Sequence, residues 1–312
     1  MNLGILVAAG LSLVFSTTAS SRAAEAKPFE LKDGDRVAFI GGTFIEREQA
    51  YSYLETLLRT QWPERKVVFR NLGWSGDNVF GASRGYFEYA EAGFARLTKI
   101  VHELKPTVIV IGYGMTESFD GDAGLPTFRT GLERMLDMLK DLNARETVLV
   151  GPIQHEKLPP PLPAPADHNK WLQAYADAMK DVATKREMRF VDLYELTKPG
   201  ADAKPLTENG IHLTLRGYWF AANETVKQLG LKASENLSID EKGAIATGNY
   251  EAIRQLSIQK NIQYFNSWRP ANETYIFGFR SYEQGKNAAE MPKFAEPIAR
   301  LEDQITKLAQ QK

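Results

Sequence analysis

Short apolar runs alternate along the chain with longer stretches in which apolar residues return every three or four positions. The short runs are Arg36–Ile40, Val67–Leu72, Thr107–Tyr113, Thr147–Val150 and Phe190–Leu193, and their length and β-branched content predict strands. Between them, Arg47–Trp62 carries Tyr51, Leu54, Leu57 and Leu58 at helical spacing. Phe94–Leu104, Leu125–Leu142, Asn169–Arg186 and Leu215–Leu229 read as further helices. The run from Thr107 to Tyr113 is apolar on both of its faces, as expected of a central parallel strand covered on both sides. Five βα alternations predict an α/β fold with a doubly wound, five-stranded parallel sheet and right-handed crossovers. Ligands of such sheets bind beyond the carboxyl ends of the strands, so chemistry is sought there.

Two stretches break the alternation. Between Lys157 and Asp167 five prolines exclude a helix or a central strand and predict a stiff extended loop, either a connector or a wall of the site. From about Lys232 the strands stop. Ile239–Lys260 and Ala295–Lys312 are expected to be helical, around an aromatic-dense stretch from Tyr264 to Tyr282. Its Trp268, Tyr275, Phe277, Phe279 and Tyr282 are expected to pack inward, with stacking on sugar rings as the alternative. The expected division is an α/β domain over 27–230 and a mostly helical extension over 231–312 packed upon it.

The N-terminus adds an address. Leu3–Phe15 is apolar but too short to span a bilayer, and small residues follow, with cleavage options after Ala23 or Ala26. Residues 1–26 are therefore expected to be a signal peptide, with a retained anchor as the alternative. The mature chain is expected in the periplasm or outside the cell, without stable membrane insertion. The chain has 312 residues, 38 basic and 39 acidic, and no cysteine. This excludes disulfides and thiolate metal sites. No basic run suggests a nucleic-acid partner, and no cofactor is expected.

Each strand end carries polar or glycine residues. The first runs into Gly41-Gly42-Thr43, the second into Asn71-Leu72-Gly73-Trp74-Ser75-Gly76-Asp77, and the third into Gly114-Met115-Thr116-Glu117. The fourth runs into Gln154-His155-Glu156, and a late segment reads Glu208-Asn209-Gly210-Ile211-His212. In this order the blocks resemble those of the SGNH (GDSL-type) hydrolases, an esterase and lipase superfamily with a flavodoxin-like sheet. The resemblance covers about residues 30–230, and the full phrases look most like secreted SGNH proteins of planctomycete-type bacteria.

The resemblance implies nucleophilic acyl transfer on an ester, with a small acyl ester or an acylated carbohydrate as the expected substrate. Thr43 stands where the family has its serine nucleophile, His212 at the base and Asn209 at the aspartate that orients it. Gly76 and Thr116 stand at the oxyanion positions. Gly42, Asp77, Glu117, His155, Glu156 and Glu208 are further candidates for substrate contact or support. Only Gly76 and His212 keep the family's residue. Thr43 has a hydroxyl, but its methyl restricts χ1. Asn209 is expected to accept from the imidazole N–H without balancing an imidazolium, and a comparable loss in a serine protease costs about 10⁴ in turnover. Thr43, Thr116 and Asn209 can equally be turn residues. Three functions therefore stay open: an ester hydrolase, a catalytically silent module that binds an ester or glycan in the same cleft, and a structural partner acting through the C-terminal extension.

Overall fold

Val37 and Phe39 point to one side of the first strand while Ala38 and Ile40 point to the other, and all four are buried. The computed structural model describes Met1 and residues 28–86, 88–162, 164–197, 204–232, 237–284 and 287–311. The rest of the expected signal segment lies outside the described residues. Strands β1 (Arg36–Gly41), β2 (Val68–Asn71), β3 (Val108–Gly112), β4 (Glu146–Val150) and β5 (Arg189–Val191) form one parallel sheet in the order β2-β1-β3-β4-β5. Val37 pairs with Phe69 on one side and Val108 on the other, and Ile111 pairs with Leu149.

The residues of alternate parity serve separate cores. Val37, Phe39, Val108, Val110, Val148 and Val150 pack beneath α1 (Thr43–Tyr51), α2 (Tyr53–Gln61) and α6 (Leu215–Gln228). Ala38, Ile40, Ile109, Ile111 and Leu149 pack beneath α3 (Ala90–Leu104), α4 (Gly121–Lys140) and α5 (Ala166–Lys185). Helices thus cover both faces, as a doubly wound sheet requires.

Three local expectations are corrected. The single helix expected over Arg47–Trp62 is two, because Ser52 adopts a left-handed conformation (φ 51°) that turns the chain. The carboxylate of Glu48 accepts the backbone N–H of Leu54 across this break at 2.7 Å, satisfying a donor at the start of α2. The helix expected from Asn169 begins three residues earlier, as α5 starts at Ala166 behind Pro165. The helix expected from Ile239 begins only at Tyr250. Asp240 first closes a turn by accepting from the N–H groups of Lys242 and Ala244, and Ile239 bridges Ile245. Side-chain oxygens that bond the backbone locally compete with helix in this way.

Beyond this turn come α7 (Tyr250–Trp268), two short helices α8 (Glu273–Ile276) and α9 (Ser281–Gln284), and α10 (Ala295–Gln310). α7 lies against α1, α2 and β2, with α10 upon it. Expected inward packing fails for Phe277, Phe279 and Tyr282, which are 52, 58 and 83% exposed. They lie in and beside short helices and turns, where alternation in sequence does not mark a face.

Candidate active site

In the order β2-β1-β3 the chain leaves β1 toward one edge and later returns on its other side, so the crevice opens between the ends of β1 and β3. The two strands meet closely there: a Cβ at Gly41 would lie 2.3 Å from the carbonyl oxygen of Gly112, so only glycine fits. A cavity of about 240 Å³ occupies this crevice. Phe44, Met115, Ile153, Ile211 and Tyr218 give it apolar walls, while Gly42, Thr43, Thr116, Asp77, Glu117 and His212 give it polar ones.

Thr43 is the first residue of α1, so its N–H sits at a helix N-terminus, where no intrahelical acceptor exists. Its hydroxyl oxygen accepts the backbone N–H of Gly76 at 2.9 Å. Gly76 reaches this place with φ +71°, a backbone conformation that side chains disfavour. The loop before it is held from below. Asn71 donates to the carbonyl of Ile45 and accepts from Gly73, and Glu46 accepts the N–H of Ser75. Asp77 is fully buried under the loop, where its carboxylate meets Arg84 Nε at 2.6 Å and the Tyr113 hydroxyl at 3.0 Å. It supports the floor. Thr116 is exposed at the rim, its Oγ1 within 3.9 Å of where a Cβ on Gly42 would stand.

His212 lies on the loop before α6. The loop folds back on itself: Thr207 bridges Leu213, and Glu208 N–H donates to the His212 carbonyl at 2.9 Å. Glu156 clamps it. Its carboxylate accepts from the N–H groups of Leu206 and Thr207 and from the Thr207 hydroxyl at 2.6 Å, while its own N–H donates to Gly210 O at 2.7 Å. Glu156 is thus occupied in holding the histidine loop. Glu208 faces outward in an ion pair with Arg47 at 2.7 Å.

The bond between Asn209 and His212 runs opposite to expectation. Asn209 Oδ1 accepts the backbone N–H groups of Ile211 at 3.1 Å and His212 at 2.9 Å. The face left for the ring is the amide nitrogen, 3.1 Å from His212 Nδ1. An amide nitrogen only donates, so Nδ1 accepts and a neutral ring carries its proton on Nε2. Burial and the nearby Arg47 hold the His212 pKa below its ordinary value, against the opposing pull of Glu208. Thr43 and His212 share the cavity, but among the described residues no hydrogen bond joins the hydroxyl to the ring.

Two other candidates lie beside the cavity's chemistry. His155 is buried and its ring stacks on His168 with centroids 4.5 Å apart, with Phe119 against both. Its Nε2 has no partner, and burial, together with His168 and His212, pushes its pKa down to about 4. It does not line the cavity itself, but it packs against Phe119, which does. Glu117 accepts from Val79 N–H and Gly114 N–H at 2.9 Å each, tying the second and third loops together. Burial pushes its carboxyl up to about 7 despite those bonds. Among the described residues no group of three or more His, Cys, Asp or Glu side chains is arranged to hold a metal ion.

Sequence reasoning missed Arg47, Glu46, Arg84 and Arg269. Arg269, at the end of α7, bonds Glu46 at 2.7 Å and lies over the Trp74 ring at 3.6 Å. None has a local signal, because each finds its partner through the fold.

The sequence model of the GDSL-like Lipase/Acylhydrolase family matches residues 38–220. No curated protein sequence matches the chain. Among solved structures, the chain is similar to a protein described as a GDSL-like lipase from Parabacteroides merdae, at 16% identity and a TM-score of 0.54, over 66% of this chain and all of that one. It is also similar to a gut microbial diltiazem-metabolizing enzyme at 17% identity and a TM-score of 0.51, over 64% of this chain and 48% of that one. The chain thus spans about half the length of that enzyme. These likenesses concern the fold.

Proposed function

Because the chain belongs to the GDSL-like lipase/acylhydrolase family, we propose that its cleft takes an acyl ester outside the cytoplasm and cleaves it by acyl transfer through Thr43. The observation that carries this reading is the Thr43 hydroxyl, held 2.9 Å from the Gly76 N–H at the start of α1, in one cavity with His212. The Thr43 oxygen attacks the carbonyl carbon. The N–H groups of Thr43 and Gly76, with the Thr116 hydroxyl, face the negative charge that develops on the carbonyl oxygen. The proton of the hydroxyl passes through the His212 ring to the departing alkoxide. Water then releases the acid from the threonine ester and returns a proton to Thr43. A cavity of about 240 Å³ with apolar walls suits a short acyl group. The alcohol portion, for which we favour a carbohydrate, remains at the open rim.

A second reading, a silent receptor for an ester or glycan, draws on a specific observation: the amide of Asn209 donates to His212 Nδ1. One series separates the two. On p-nitrophenyl acetate, Thr43→Ala and His212→Ala each lower kcat by at least about a hundredfold if acyl transfer operates. Rates equal to wild type in both variants would favour the receptor. The proposed address is checked by N-terminal sequencing of the exported protein, which is expected to begin after Ala23 or Ala26.

A further inference from the structure

The turn that carries His212 decides which ring nitrogen keeps its proton. Asn209 Oδ1 is committed to two backbone donors, Ile211 and His212, at 3.1 and 2.9 Å. Rotating the amide by half a turn would set its NH₂ against both N–H groups and lose both bonds. The amide orientation is therefore fixed by the turn, whatever the ring prefers. What remains for the ring, 3.1 Å away, is an N–H donor. The charged groups facing the ring do not reverse this. Arg47, from α1, opposes a positive ring, Glu208 is occupied in an ion pair with Arg47, and His155 is a further basic group from the loop after β4.

We propose that Asn209 is a positioning residue that locks His212 in its Nε2–H form, so that the resting cleft meets an ester with a hydrogen-bond donor where hydrolysis needs a base. The inference rests on the assignment of Thr43 and His212 above. The Thr43 proton can move only to a ring nitrogen with a free lone pair. In the locked form Nε2 has none, because its lone pair already binds a proton. Moving that proton to Nδ1 frees Nε2 but sets Nδ1–H against the Asn209 N–H. Turnover then proceeds only from a minor arrangement of the ring. The locked ring still serves binding, since Nε2–H donates to a carbonyl or alkoxide oxygen. An aspartate at 209 would keep the two backbone bonds on one oxygen and offer the other to Nδ1–H, which releases Nε2 as acceptor.

The test reads the tautomer and the rate separately. In ¹⁵N NMR of the neutral ring, with His212 signals identified by their loss in His212→Gln, wild type is expected to show the proton on Nε2 and Asn209→Asp on Nδ1. Turnover of p-nitrophenyl acetate is expected to rise at least about a hundredfold in Asn209→Asp, within the 10⁴ span that tautomer control commands elsewhere. That gain should vanish in Asn209→Asp with Thr43→Ala. A wild-type ring protonated on Nδ1 overturns the lock. A ring that switches in Asn209→Asp without any gain in turnover overturns its role in hydrolysis. A gain that survives Thr43→Ala leaves the lock standing and overturns Thr43 as nucleophile.

Discussion

Two polar regions of this molecule use charge in opposite ways. On the inner face of α7, Lys260 is completely buried and bonds Glu55 at 2.6 Å and the Phe69 carbonyl at 3.2 Å. Arg59, equally enclosed, bonds the Val67 carbonyl at 2.7 Å and stands 3.9 Å from the same Glu55. In the cleft, the family resemblance implies a carboxylate beside the imidazole, and a neutral amide stands there instead. A paired charge is thus kept in the seam, and among the described residues none bonds the imidazole of the cleft. The difference separates two uses of a carboxylate. In the seam it neutralises a fixed cation that holds the extension to the domain. In an acyl-transfer site it stabilises a cation that forms only during reaction, and an amide cannot replace that.

The largest expected effect tests the seam. Lys260→Ala leaves Glu55 buried without its nearest cation, and breaking a buried pair in this way costs about 3–5 kcal/mol. Burial already pushes the Lys260 ammonium down to about 8, against the opposing pull of Glu55. Urea unfolding of the full chain should show the loss as a lower midpoint. A change below about 1 kcal/mol would mean that Arg59 alone can compensate Glu55, and the seam would not be the structural counterpart of the cleft.

A smaller effect concerns a third kind of polar group, buried and without a partner for one ring nitrogen. His155 is held near 4 in the folded chain against about 6.5 when unfolded. Between those pH values the unfolded chain binds more protons, so stability falls as pH is lowered from about 6.5 and the loss is complete below about 4. The shift corresponds to about 3 kcal/mol. His155→Phe keeps a ring against Phe119 and His168 and should flatten this part of the acid limb in thermal melts taken between pH 7 and 4. An unchanged slope would assign the acid sensitivity elsewhere.

The sheet was legible because both of its faces are buried, so each strand reads as an apolar run and the strand ends follow from the topology. The break at Ser52 was not, since a left-handed serine leaves the helical spacing on either side intact. At Asn209 the sequence offered two readings, a turn residue and a partner of the histidine, and both describe real contacts. The turn uses the oxygen and the ring receives the nitrogen, so the polarity depends on a competition within the single turn from Asn209 to His212 that residue spacing does not express. Glu156 was placed near the site, but its four acceptor contacts with Leu206 and Thr207 come from a loop fifty residues away. Lys260 and Glu55 are separated by 205 positions, and nothing local marks either as half of a pair.

The smallest expected effect on stability joins the two regions. Arg269 leaves the end of α7 to bond Glu46 at 2.7 Å, and the same carboxylate accepts the N–H of Ser75. Its guanidinium covers the Trp74 ring at 3.6 Å, next to the loop that delivers Gly76 to the Thr43 hydroxyl. The extension therefore reaches the loop that carries Gly76 through Arg269, beside the Trp268 ring, which packs on Trp74 at 5.8 Å. Arg269→Ala should cost about 1 kcal/mol, the scale of a partly exposed cation–π contact with one ion pair. The effect on the proposed ester hydrolysis should be larger, because a donor displaced by a fraction of an ångström loses much of its value to a developing oxyanion. A drop of about tenfold in kcat with little change in KM, and partial recovery in Arg269→Lys, would tie the C-terminal helices to the cleft. A loss confined to stability, with kcat unchanged, would leave α7 a brace for the sheet edge alone.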